Sequence, residues 1–148
     1  MKSSLAPSLL SVALLFTVAV DATAKEKKPP KADVIMPADS MKWEDGPLKG
    51  THAAKITGDW MKGGAYSMFV KFDAGIMNPM HHHTQTLKIV VVSGEFVHQP
   101  KGGKEQKLGP GSYLEQVGGM DHISGCAAGA DCVFFMTSKD KFDLVPTK

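Results

Sequence analysis

Arginine is missing altogether. All 17 basic residues are lysines, they are scattered among 15 carboxylates, and the net charge is +2. Without the planar guanidinium that reads phosphates and guanine in pairs of hydrogen bonds, and without a basic stripe, nucleic acid is excluded as an expected partner. Long apolar runs are also lacking. The one candidate, from Leu9 to Val20, falls short of the roughly 20 residues a helix needs to span a bilayer. It follows Lys2 and precedes the small residues Ala22, Thr23 and Ala24, the order of a secretory leader. Residues 1–24 are therefore expected to be a signal peptide cleaved after Ala24, and the mature chain to be exported, most simply to a bacterial periplasm, with no stable membrane anchor. No cysteine lies near the cleavage position, which argues against a lipoprotein.

Cysteine is scarce as well: Cys126 and Cys132 are the only two. Their spacing is not Cys-x-x-Cys, so a thioredoxin-like redox role has no support. An oxidising compartment permits a bond between them, and the short ring would stabilise by roughly 2 kcal/mol. The alternative is a pair of small buried residues that never join. Amphipathic helices are absent too, since no 3.6-residue periodicity follows residue 25.

What is present after the leader is β-patterned. Lys25 to Lys31 is charged and proline-bearing, a solvated tether. Together with residues up to 42, including Val34 to Met36 as a first edge strand, it forms a linker and N-terminal edge segment. Strands are expected over Thr51 to Thr57, Ala65 to Phe72, Thr86 to Ser93, Glu95 to His98, Gln106 to Leu108, Ser112 to Val117 and Asp131 to Thr137. A last edge piece is expected over Phe142 to Val145. In Ala65 to Phe72 the alternation places Tyr66, Met68, Val70 and Phe72 on one face. Many short strands with Gly/Pro turns predict a single all-β domain, a sandwich or small barrel, over residues 43–148.

The richest chemistry sits at His81, His82 and His83. If the chain is extended from there to Ile89, then His81, His83, Gln85, Leu87 and Ile89 share one face and His82 the other. Two imidazoles at i and i+2 can reach one ion, and His122, after Gly118 and Gly119, is the expected third donor. His52 and His98 carry no motif and are expected to be ordinary polar positions.

These motifs resemble those of the cupin superfamily. Gly75, five residues, the His81-His82-His83 run and then Gly94 are similar to its first motif. Pro110-Gly111 and the later His122 are similar to its second, with Val117 where proline is usual. Trp43 and Gly58-Asp59 also resemble a group of small exported single-domain cupin-like proteins. The resemblance implies a cupin-type jelly-roll β-barrel, with His81, His83 and His122 as ligands of a divalent metal: iron, manganese, zinc, nickel or copper. It also implies pairing into a homodimer. The superfamily's glutamate would fall at Leu87 or Lys88, so the expected ligand set is three neutral histidines. Once loaded, such a set favours an anionic ligand or a more acidic bound water.

Gln85, Tyr113 and Glu115 are the candidates for orienting substrate or moving a proton. Three functions stay open. One is a metal-dependent enzyme acting on a small molecule, for which relatives such as dioxygenases and isomerases set the range. Another is a non-catalytic module for a small ligand or metal, which the missing glutamate favours. The last is copper handling, with Met77, Met80 and Met120 adding thioethers to the imidazoles.

Overall fold

A computed structural model describes residues 32–147 of the chain. The expected leader and the tether lie outside the described residues. Among the described residues, eleven strands follow a single 3-10 turn at Ala38–Ser40. The first sheet holds β1 (Glu44–Asp45), β2 (Thr51–Thr57), β3 (Tyr66–Phe72), β5 (Leu87–Ser93), β8 (Tyr113–Gln116) and β10 (Cys132–Ser138) in the order β1-β2-β3-β10-β5-β8. The second holds β4 (Met77–His82), β6 (Phe96–Pro100), β7 (Gln106–Leu108), β9 (His122–Cys126) and β11 (Val145–Pro146) in the order β11-β4-β9-β6-β7. All pairings are antiparallel. The architecture is the expected all-β jelly roll, with two sheets face to face. No helix among the described residues is long and apolar enough to cross a membrane.

Period-two alternation builds the core. Tyr66, Met68, Val70 and Phe72 are all buried, as are Phe134 and Met136 of β10 opposite them and Leu87, Ile89 and Val91 of β5. From the facing sheet Phe96 packs its ring 4.9 Å from Phe134 and 6.0 Å from Phe72, which joins the two layers. Trp60, between β2 and β3, and Phe142, between β10 and β11, meet edge to face at 5.7 Å and pack against this cluster. Cys126 and Cys132 are joined by a disulfide that ties the end of β9 to the start of β10.

Two strand expectations change. Val34 to Met36 forms no strand; Val34 and Ile35 are exposed and have no sheet to complete, so β-branching alone does not order them. At the other end only Val145–Pro146 pairs, with His82 and His81 of β4, while Phe142 and Leu144 turn into the cavity between the two sheets.

Candidate metal centre

The second sheet brings the histidines together. β4 pairs β9 with His81 directly opposite His122 and Asn78 opposite Ser124. Asn78 and His81 are three residues apart yet both buried, because the register shifts between them. The cause is Pro79, which has no N–H for the ladder and sits where the strand bulges. The bulge also leaves the Pro79 carbonyl to the His81 ring: His81 Nδ1 lies 2.7 Å from Pro79 O. His122 repeats the device, its Nδ1 2.9 Å from Met120 O. His83 takes its partner from far along the chain, with Nδ1 2.5 Å from the carbonyl of Asp143.

Each Nδ1 faces an acceptor that cannot donate, so each must carry the proton. Nε2 on all three rings is then an unprotonated lone pair, the tautomer a metal needs. One ring nitrogen from each of His81, His83 and His122 lies within 4.8 Å of the others. The ring centroids are 4.3 to 5.4 Å apart, and all three residues are buried. Burial holds the imidazoles neutral: His83 and His122 are each pushed down to about 4, and His81 is lowered for the same reason. Converging neutral lone pairs with no bound proton among them fit a first-row divalent ion.

The turn before β9 fixes His83 as well. Gly119, at φ +77°, donates its N–H to His83 O at 2.8 Å, and a side chain on Gly118 would collide with the backbone of Thr84 and Gln85. Only glycine permits both the positive φ and this approach. Asp143 adds a second clasp: its carboxylate accepts the Thr84 N–H at 2.8 Å and the Thr84 hydroxyl.

Beside the rings lies a partly open cavity between the two sheets. Its wall is largely apolar, from Trp60, Met68, Phe134, Phe142 and Leu144 among others. Polar groups come from His81, His83, Gln116, Asn78 and Ser124 together with His52 and Thr51. Among the described residues no lysine and no carboxylate lines it.

His82 points away from the other two, as alternation predicts, and its Nδ1 sits 3.1 Å from Asp121, which also binds Lys101 at 2.9 Å. The structure does not bring Gln85, Tyr113 or Glu115 to the cluster. After His82 the chain leaves one sheet and enters the other at Leu87, so strand parity does not carry through Gln85. Gln85 lies instead in an outer depression with Lys88 and Glu115. Tyr113 donates its hydroxyl to Glu115 at 2.9 Å on the exposed face of β8.

That strand turns its other face inward, and it carries Gln116, which is buried and lies directly opposite Leu87. The Gln116 amide contacts His122 Nε2. A second residue without a motif also joins the cluster: buried His98, two residues on from inward-facing Phe96, has its ring 5.1 Å from the His122 ring, and its Nδ1 has no hydrogen-bond partner among the described residues. His52 is different again, with its ring nitrogens 3.3 Å from Asp45 and 3.2 Å from Asp73. Two of the three methionines considered for copper, Met77 and Met120, are exposed; Met68 and Met136 are the methionines that line the cavity.

By sequence, residues 31–141 match the family described as the ChrR cupin-like domain. No curated protein matches. The fold is similar to that of the polyketide cyclase RemF from Streptomyces resistomycificus, at TM-score 0.66 and 17% identity over 77% of this chain and 84% of that one. KdgF from Halomonas sp. gives TM-score 0.57 and 21% identity over 70% and 93%. A chain in the structure of Rhodobacter sphaeroides SigE in complex with the anti-sigma ChrR gives 0.54 and 17% over 70% and 51%. At these identities the structural likenesses establish the fold alone. The family match spans most of the sequence, and the chain belongs to the ChrR cupin-like domain family.

Proposed function

We propose that this is an exported protein that holds one divalent first-row metal ion at His81, His83 and His122 and binds a small, largely apolar molecule against it, as a metal-dependent enzyme. The observation that carries the reading is the convergence of three imidazoles whose Nδ1 atoms are all committed to backbone carbonyls. When bound, the ion would supply a Lewis-acidic centre that polarises a ligand oxygen or acidifies a water. The chain's own residues do the rest. Trp60, Phe142 and Leu144 exclude water from the apolar end, while Asn78 and Ser124, themselves hydrogen-bonded at 3.3 Å, offer polar contacts near the rings. Export is supported by the leader-like N-terminus and by the Cys126–Cys132 disulfide, a bond that persists in oxidising compartments.

The second reading, a non-catalytic module for a small ligand, is favoured by one observation: no carboxylate or lysine lines the cavity among the described residues to carry a proton. Copper handling loses support with Met77 and Met120 exposed. The test is metal content of tag-free protein beside a His81→Ala/His83→Ala/His122→Ala variant. Roughly stoichiometric metal in the former and none in the latter is expected; negligible metal in both overturns the reading. Turnover of any member of a small-molecule panel by the loaded protein separates enzyme from module.

A further inference from the structure

Resting on that reading, we propose that Gln116 is the fourth protein donor to the metal, its amide oxygen replacing the carboxylate that Leu87 excludes. Leu87 is 1% exposed and faces the cavity, so the position that resembles the glutamate of the motif offers only hydrocarbon. Directly across the β5–β8 ladder stands Gln116, 5% exposed, lining the same cavity as His81 and His83 and in contact with Nε2 of His122. Nε2 is the one His122 nitrogen free for a metal, since Nδ1 is committed to Met120 O. With no ion bound, the amide N–H donates to that lone pair. Once an ion takes the lone pair, the N–H has no acceptor there, and a half-turn of the amide presents its oxygen instead.

The fold gives this side chain little other employment. It is buried among Leu87, Ile89 and the histidines, and its amide has no hydrogen-bond partner other than His122 among the described residues. A carbonyl oxygen is an established kind of ligand for divalent cations. A set of three imidazoles and one amide is neutral throughout, so the ion keeps its full charge and prefers an anionic oxygen on the molecule it meets.

The experiment titrates full-length tag-free protein with Co(II) against a competing chelator. X-ray absorption then counts nitrogen and oxygen neighbours, and circular dichroism verifies folding. Gln116→Leu is expected to weaken Co(II) binding roughly tenfold or more and to remove one light-atom neighbour, as loss of a coordinating group does. Gln116→Glu, which keeps an oxygen in place, is expected to restore both. Unchanged affinity and neighbour count in Gln116→Leu overturn the proposal. Equal weakening in both variants overturns it too, because it marks a packing role. Wild-type protein that takes up no Co(II) overturns the three-histidine reading and this inference with it, an outcome distinct from failure of Gln116 alone.

Discussion

The two inner faces of the jelly roll obey the same alternation and carry opposite chemistry. The six-stranded sheet presents Met68, Val70, Phe72, Leu87, Ile89, Phe134 and Met136, with Thr51, Gln116 and Ser138 as its few buried polar residues. The five-stranded sheet presents Asn78, His81, His98, His122 and Ser124, with Phe96 and Cys126 as its apolar contribution to the core. One face removes hydrocarbon from water and stabilises the fold; the other buries polar groups, which favours folding only as far as each finds a partner. Stability and chemistry are thereby divided between layers, and a perturbation of one should leave a different signature from a perturbation of the other.

The largest effect of a single substitution is expected on the apolar layer. Phe134→Ala removes a ring packed against both Phe72 and Phe96 and should cost about 3–5 kcal/mol in denaturant unfolding. An effect below about 1 kcal/mol would contradict the assignment of this sheet as the stabilising one.

Acid should act on the polar layer. His83 and His122 have folded values near 4 against an ordinary 6.5, so the unfolded chain binds more protons between those limits. Stability of the metal-free protein is then full above about pH 6.5 and falls as pH drops toward 4, by on the order of 3 kcal/mol for each histidine. Urea midpoints measured across that window check it, and a flat profile would refute the buried, neutral state of the cluster.

A smaller effect lies where the sheets are stitched together. Cys126→Ser with Cys132→Ser opens a short loop and is expected to lower stability by roughly 2 kcal/mol without changing metal content. The smallest is expected outside both layers: Tyr113→Phe, on the exposed face of β8, should shift stability by no more than about 0.5 kcal/mol and leave metal binding untouched. A change in metal affinity there would return Tyr113 to the site.

Period two made most of the fold legible: the buried face of Tyr66 to Phe72 follows directly from alternation, as does the outward turn of His82. The three-histidine cluster was legible from two short motifs, although nothing local revealed that Asp143 would hold His83. What alternation could not show is where a run changes sheets. Thr84 to Thr86 contains neither glycine nor proline, yet the chain crosses there, and Gln85 leaves the face that His83 occupies. Nor does alternation say which face of a strand is inward. In β8 it offered Tyr113 with Glu115 or Leu114 with Gln116, and packing against Leu87 and Ile89 selected the second pair. His98 stayed hidden for a similar reason, since a lone histidine has no spacing to mark it.

The clasp of Asp143 on His83 and Thr84 bears on the order of assembly. A chain emerging from its N-terminus delivers all three histidines well before residue 143. Until that carbonyl arrives, and β11 pairs with His81 and His82, the His83 ring has no fixed tautomer and Phe142 does not cover it. Under the proposed metal-binding function, ion selection belongs to the finished protein rather than to the nascent one. If that function and export both hold, the ion is chosen from the compartment of arrival and not from that of synthesis.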